Sequence, residues 1–349
     1  MRVIPSLAVA GVFMAGLVVV GADEAGVRPD AAVAAVTGAD GDRLNVVVTT
    51  NILGDMVTEV LGDQADVEVI MPLGADPHDF SPSARQAEAM EQADLLVING
   101  AGFEEGLLGL IDSAEEAGAP VFAFADHVDL LEVTGEHGHD EEVDEPDQDD
   151  AEHDQDDAEH DEEAEHDEEA AGSDDPHIWT DPSRMATALD AFTERVIEID
   201  GVDAVAIESQ SADYIAELEA LDAEVAEIVE AIPAEQRVLV TNHEVFGYFA
   251  DRYDFEVIGA VIPSLTTNAS ASAAEVEALA ELIEQRDVPA IFAETTQPAQ
   301  LAEAIADEVG GDVAVVELFT ESLGEDGSGA ETYVGMMRLN AERIADALA

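Results

Sequence analysis

The fold is decided by residues 44–50, which read Leu-Asn-Val-Val-Val-Thr-Thr. The three consecutive valines suit a β-strand that is buried on both faces, as the strands of a parallel sheet are. Further short apolar runs follow at 67–71, 94–99 and 121–125, and segments with helical periodicity separate them at 52–61, 83–92 and 103–117. This alternation predicts βαβ units and a parallel sheet between helices.

A second series of the same kind lies near the end of the chain. Its strands are predicted at 237–241, 256–261, 290–294 and 313–318, and its helices at 246–253, 273–286, 299–309 and 332–348. Between the two series, helical periodicity extends over 184–199 and over 202–232, and Pro233 ends it. A continuous helix over 202–232 would be roughly 45 Å long. A break near Ser209 is the alternative.

These patterns predict an α/β protein of two lobes, each with a mostly parallel sheet flanked by helices, joined by a long rigid helix. We place the first lobe at residues 44–200, the linking helix at 201–232 and the second lobe at 233–349. Residues 136–171 interrupt the first lobe. They are almost wholly Asp, Glu, His, Ala and Gln, and DDAEHD occurs twice, so we predict a disordered acidic, His-rich insert.

The start of the chain predicts export. Met1-Arg2 precedes an uncharged stretch over 3–22 that ends in small residues, as in a secretory signal peptide. About 20 uncharged residues are also long enough for a retained N-terminal anchor. We therefore assign 1–22 as a signal peptide or anchor and 23–43 as a linker. We expect a periplasmic or extracellular cell-surface protein, which an uncleaved anchor could hold.

The composition excludes several classes of partner and site. The 349 residues include 82 Asp+Glu against 11 Lys+Arg, all of them arginine, for a formal net charge of -71. Such a polyanion repels nucleic acid and anionic lipid headgroups. The acid excess extends beyond the insert, which predicts a halophilic protein, because molar salt screens charges over roughly 3 Å. The absence of cysteine excludes disulfides, cysteine zinc sites and the lipid-bearing cysteine of bacterial lipoproteins.

Four polar segments follow predicted strands or open rigid turns, at 76–82, 175–182, 241–244 and 319–324. The tripeptide Asp-Pro-His occurs in the first two, and proline restricts both its own φ and the residue before it. The histidine after it therefore leaves a stiff turn in a defined direction. Because open α/β sheets bind ligands beyond the carboxyl ends of their strands, we expect these segments to form one site.

Histidine dominates these segments, since His78, His177 and His243 are three of only nine in the chain. Three imidazoles with one carboxylate favour Zn²⁺ at about 2.0–2.2 Å, whereas Mn²⁺ prefers more oxygen atoms. We expect nearby carboxylates to orient the imidazoles. The candidates for that role are Asp79, Asp181, Glu244 and Glu294.

Several motifs, in order, resemble those of the zinc and manganese solute-binding proteins of ABC importers, the cluster A-I or TroA-like family. The resemblance extends from about residue 45 to residue 348. The motifs are GADPHDFSPS (74–83), ADLLVINGAGFEEGL (93–107), DPHIWTDP (175–182), TNHEVFGYFADRYDF (241–255), IFAETTQPAQLAEAIADEVG (291–310) and LFTESLG (318–324).

The resemblance implies one metal ion in a cleft between the lobes, bound by His78 and His177 from the first lobe and by His243 and Glu321 from the second. Manganese-selective members tend to carry a carboxylate where His243 stands, so the resemblance indicates Zn²⁺, as does the His-rich insert. Mn²⁺ is the alternative. Glu321 replaces the usual aspartate, and a water or a carboxylate beside His78 could complete the shell instead.

We therefore expect an extracytoplasmic binding protein that captures Zn²⁺ and delivers it to the permease of an ABC importer, which a cytoplasmic ATPase drives. We expect a monomer that is not an enzyme. A zinc hydrolase would need an open coordination position and a general base, and no HExxH, nucleophile elbow or phosphate loop accompanies the histidines. A surface adhesin or metal buffer is the third class.

Overall fold

The computed structural model describes residues 43–132, 174–310 and 313–349. Three predictions therefore fall on residues outside the described ones: the signal peptide or anchor at 1–22, the linker at 23–43 apart from its last residue, and the insert at 136–171. Within the described ranges, no helix has the length and apolar character needed to cross a membrane.

The first sheet has four parallel strands in the order β2-β1-β3-β4, and four helices accompany it. The strands are β1 (Leu44–Val48), β2 (Ala65–Val69), β3 (Leu95–Ile98) and β4 (Val121–Ala123). The helices are α1 (Asn51–Leu61), α2 (Ala84–Glu91), α3 (Leu108–Ala117) and α4 (Pro182–Ile197). The strand order reverses at β1, so a crevice opens beyond the carboxyl ends of β1 and β3. We call these elements the first lobe.

A long helix, α5 (Ala204–Glu230), leads to a second parallel sheet of the same topology, ordered β6-β5-β7-β8. Its strands are β5 (Val238–Thr241), β6 (Glu256–Ala260), β7 (Ala290–Glu294) and β8 (Ala314–Leu318). Its helices are α6 (Gly247–Tyr253), α7 (Ala273–Arg286), α8 (Gln300–Val309) and α9 (Tyr333–Leu348). These elements form the second lobe, and the predicted two-lobe α/β fold is confirmed.

Strand β1 is covered on both faces, as its sequence predicts. Val46 and Val48 point into one apolar cluster and Val47 into another, because successive side chains of a strand face opposite sides. All three valines are fully buried, and each such burial contributes about 1.5–3 kcal/mol. The second sheet repeats the arrangement, with Leu239 and Val240 on opposite faces of β5.

Helix α5 packs against helices of both lobes: α1 and α4 of the first, and α9 of the second. Its apolar face lies in the same cluster that contains Val46 and Leu239, so one continuous core joins the lobes. The helix is unbroken over 27 residues, so the alternative of a break near Ser209 is wrong, and its length is about 40 Å. We retain residues 44–200, 201–232 and 233–349 as proposed boundaries.

Candidate metal centre

The four side chains predicted to bind metal lie together. One ligand atom from each of His78, His177, His243 and Glu321 lies within 4.8 Å of the other three. His78 Nε2 is 3.0 Å from Glu321 Oε1, His243 Nε2 is 3.4 Å from the same oxygen, and His177 Nε2 is 3.2 Å from His243 Nε2. All four residues are at most 3% exposed. Atoms from both lobes thus converge on one buried point.

Two of these atoms have no ordinary polar partner. Neither His78 Nε2 nor Glu321 Oε1 has a hydrogen-bond partner among the described residues, although both are buried. Their separation of 3.0 Å lacks the angles of a hydrogen bond. A buried polar atom without a partner costs about 1–3 kcal/mol. A cation at their common focus would satisfy both atoms.

His78 lies in the turn after β2, where two carboxylates hold it. Asp76 Oδ1 accepts a hydrogen bond from the His78 backbone nitrogen at 2.9 Å, which closes the turn. Glu105 Oε1 lies 2.9 Å from His78 Nδ1 and directs Nε2 toward the focus. Glu105 opens the short 3₁₀ turn Glu105–Leu107, which replaces the beginning of the helix predicted from residue 103.

His177 lies in the second Asp-Pro-His turn. Asp175 Oδ1 accepts from its backbone nitrogen at 2.9 Å and lies 2.7 Å from its Nδ1. Asn99 fixes this turn, because its side-chain amide donates to the Pro176 carbonyl at 2.9 Å. Asn99 in turn is held by the buried Glu104, which accepts from its backbone nitrogen at 2.6 Å. Burial raises the pKa of Glu104, although the hydrogen bonds that its carboxylate accepts act to lower it.

His243 and Glu321 come from the second lobe. His243 follows β5, and its Nδ1 bonds Glu294 Oε1 at the end of the neighbouring strand β7. Glu294 Oε2 accepts from Thr320 at 3.1 Å. Glu321 follows β8, and its second oxygen accepts from Thr296 at 3.3 Å. Each focal atom therefore belongs to a side chain whose other polar atom is already bonded.

Aromatic rings close the first-lobe side of the centre. Phe103 lies edge-on to His78 at 5.3 Å and to His177 at 5.9 Å between ring centroids. Trp179, the one tryptophan of the chain, lies 5.3 Å from His177, and its Nε1 donates to the Thr320 carbonyl of the second lobe at 2.6 Å. These rings shield the polar atoms from water, which strengthens their electrostatic interactions.

The pKa is raised for two of the three histidines and lowered for the third. Burial alone would lower the pKa of His78, but the hydrogen bond to Glu105 and the negative charge of Glu321 raise it to about 9. Burial likewise opposes a raised pKa of His243, and the charges of Glu294 and Glu321 outweigh it. For His177 burial prevails over Asp175, so its pKa is lowered. Burial would raise the pKa of Glu321, yet His243 and His78 lower it.

The carboxylates that orient the imidazoles were only partly predicted. Glu294 is confirmed as a partner of His243. Asp181 instead caps α4 through the backbone nitrogens of Ser183 and Arg184, so its predicted role is wrong. Asp79 is exposed and is not the carboxylate that holds His78. Glu105 and Asp175 were not predicted from the sequence. The repeated Asp-Pro-His tripeptide carried a signal for Asp175, because Asp side chains accept from the backbone two residues on.

The sequence profile of the ZnuA family, described as "Zinc-uptake complex component A periplasmic", matches residues 46–347. The chain belongs to this family. Zinc-binding protein TroA of Treponema pallidum is 31% identical over 315 residues, which cover 89% of this chain and 90% of that protein. Manganese-binding lipoprotein MntA of Halalkalibacterium halodurans is 26% identical over 312 residues, 89% of this chain and 91% of that protein.

The solved structure of the periplasmic zinc-binding protein TroA from Treponema pallidum superposes with a TM-score of 0.71 at 29% identity, and it covers 88% of this chain and 99% of that one. The resemblance noted from the motifs is confirmed. As a family member, the chain is an extracytoplasmic, metal-binding component of an ABC importer and not an enzyme. The relatives include both zinc and manganese proteins, so the family alone leaves the metal undecided.

Proposed function

We propose that the chain captures Zn²⁺ through His78, His177, His243 and Glu321 and delivers it to the permease of an ABC importer. The observation that carries the proposal is the convergence of three imidazole nitrogens and one carboxylate oxygen at a buried focus. Four protein ligands are typical of closed tetrahedral zinc sites, whereas catalytic zinc keeps one position open.

The distances between these atoms support a small tetrahedral ion. Ligand atoms at about 2.0–2.1 Å from a central ion lie roughly 3.3–3.4 Å apart at the corners of a regular tetrahedron. Three of the six separations, 3.0, 3.2 and 3.4 Å, are close to that value, and all six lie within 4.8 Å.

Mn²⁺ is the alternative cargo, since some relatives are named for manganese. Manganese suits sites rich in carboxylate, carbonyl and water oxygen. Here the third ligand position is occupied by the His243 imidazole and not by a carboxylate. Glu294 bonds the other nitrogen of that ring. Three nitrogens and one oxygen favour Zn²⁺, as does the general order of affinities of divalent metals.

Metal analysis and calorimetry test the proposal. Protein purified without chelator or added metal should contain zinc close to one equivalent, and the metal-free chain should bind Zn²⁺ far more tightly than Mn²⁺. His78→Ala and His243→Ala should each weaken Zn²⁺ binding by orders of magnitude. His127→Ala is the matched control, because His127 is exposed and stacks on Phe122. Unchanged affinity in either His78→Ala or His243→Ala would rule out that residue as a ligand.

Delivery requires a second test, because a metal buffer would pass the first. We propose an exported monomer, since one chain supplies all four ligand atoms, held by or released from the segment at 1–22. In cells that lack the chain, uptake of radioactive zinc should fall and should recover with the wild-type chain but not with His243→Ala. Uptake that is independent of the chain would favour a buffer or an adhesin.

A further inference from the structure

The three imidazoles of the centre are held by carboxylates of different origin. Asp175 lies two residues before His177 in the same turn, and Glu294 belongs to the same lobe as His243. Glu105 belongs to the same lobe as His78, but its second oxygen accepts a hydrogen bond from Asn268 of the second lobe at 2.9 Å. Among the described residues, Glu105 is thus the one of these three carboxylates with a side-chain bond across the cleft.

Asn268 holds His78 at two points. Its amide nitrogen donates to the His78 carbonyl and to Glu105 Oε2, each at 2.9 Å. The preceding residue, Thr267, donates to Asp76 Oδ2 at 2.6 Å, while the other oxygen of Asp76 closes the His78 turn. Two consecutive second-lobe residues therefore bond both carboxylates that position His78.

The loop that carries Asn268 is fixed to the segment that carries His243. The Ile262 nitrogen donates to the Asn242 carbonyl at 2.8 Å, and the Glu244 nitrogen donates to the Ser264 carbonyl at 2.9 Å. The loop therefore moves with the second lobe. A separation of the lobes would withdraw Asn268 from Glu105 and from His78 together.

His177 is also contacted from the second lobe, but differently. Tyr248 donates to the Asp175 backbone carbonyl at 2.6 Å. The carboxylate oxygen that holds the His177 ring bonds to His177 itself, at both its backbone nitrogen and its Nδ1. That pair survives lobe separation, as does the pair of His243 with Glu294.

We propose that Asn268 is a positioning residue that couples lobe closure to the His78 imidazole, so that His78 is the first imidazole to leave the ion during release. This inference rests on the proposed function. Closure supplies the second-lobe hydrogen bonds to Glu105 and Asp76, and opening removes them, whereas the bonds that hold Asp175 and Glu294 to their imidazoles lie within one lobe and have no such support to lose. Asn268 thus sets the rate at which the ion leaves more than the rate at which it enters.

Release kinetics test the coupling. Trp179 lies 5.3 Å from the His177 ring, so we expect its fluorescence to change with zinc occupancy. Stopped-flow mixing of the zinc-loaded chain with excess chelator then gives the dissociation rate. Asn268→Ala removes the hydrogen bonds to Glu105 and to the His78 carbonyl, so it should release Zn²⁺ roughly tenfold faster, with a nearly unchanged association rate. Asn268→Asp should release it faster still, because a like charge would face Glu105. Ser270→Ala, in the same loop and exposed, should behave as wild type.

Nitrogen NMR of the histidine rings separates this role from a general loss of structure. In metal-free Asn268→Ala, the signals of His78 should shift while those of His177 and His243 stay in place. Release at the wild-type rate, or equal shifts of all three rings, overturns the coupling. A wild-type chain that binds no zinc would instead overturn the proposed function, so the two failures are distinguishable.

Discussion

Asp175 uses one carboxylate oxygen for two bonds to His177, one to the backbone nitrogen at 2.9 Å and one to Nδ1 at 2.7 Å. The first bond closes the turn, and the second fixes the ring with Nε2 toward the focus. Asp76 makes the first bond to His78, but there Glu105 holds the ring. The aspartate of the Asp-Pro-His turn therefore positions His177 alone, whereas His78 also requires Glu105.

Replacement of Asp175 should separate these two effects. Asp175→Ala removes both bonds, so Zn²⁺ affinity should fall by roughly 10–100-fold, as expected for loss of a carboxylate that orients a ligand. Asp175→Asn keeps an oxygen acceptor and should cost less. Calorimetric titration of both variants provides the measurement. Equal affinities of Asp175→Ala and wild type would show that Asp175 does not position the ring.

Replacement of Glu321 by glutamine should weaken zinc binding while preserving the packing. The change removes the negative charge between His78 and His243, and we expect a loss on the order of 100-fold in affinity. It should also lower the pKa values of both histidines, since Glu321 contributes to raising them. Titration of the ring signals by NMR measures that effect. Glu331→Gln, which changes an exposed carboxylate outside the cluster, is the control.

Zinc binding should release protons at neutral pH. A raised folded-state pKa means that folding favours the imidazolium of His78, a contribution present in full below about pH 6.5 and lost as the pH rises through about 9. Metal requires the neutral ring, so binding at about pH 7.5 must displace the proton, and affinity should rise with pH toward 9. Calorimetry in buffers of different ionisation enthalpy counts the protons. Binding without proton release would contradict the prediction.

Deletion of the acidic insert should leave the metal centre intact. Residues 132 and 174 pair in an antiparallel bridge, and the Asp175 nitrogen donates to the Leu131 carbonyl at 2.8 Å. The described residues on either side of the insert are therefore adjacent, and a short Gly-Ser linker can replace 136–171. Zinc affinity should change by less than about threefold. A large loss would mean that the insert supplies a ligand.

Salt should stabilise the chain. With a net charge of -71, repulsion between carboxylates opposes folding in dilute buffer and is screened in molar salt. The melting temperature should therefore rise steadily between about 0.1 M and about 2 M KCl. Thermal unfolding followed by circular dichroism measures it. A melting temperature that does not depend on salt would argue against the predicted halophilic character.

The sequence predicted the elements that depend on local patterns. The valines of β1 and the apolar face of α5 specify a buried strand and a packed helix by composition alone. The three histidines of the cluster were also predicted, because each follows a strand end or opens a rigid turn, whereas Glu321 was predicted from the resemblance to the family. Their role as ligands remains a prediction that metal binding must test.

Roles that depend on contacts between segments distant in sequence could not be predicted, because no local pattern encodes those contacts. Glu105 reaches His78 because Gly106 lets the turn approach the Phe80 carbonyl, where a Cβ would collide. Asp181 precedes a proline at the first position of a helix, and this arrangement favours a cap over a bond to an imidazole. In a chain with 82 acidic residues, proximity along the sequence does not indicate which carboxylate orients which ring.

The number of residues in helix α5 determines how its two halves pack against the two lobes. One residue inserted into its middle would advance the following part by about 1.5 Å and turn it by about 100°. The packing against α1 and α4 before that point and against α9 after it could not both be kept. Length variation among such proteins should therefore be found in the surface loops, whereas this helix should keep a constant number of residues.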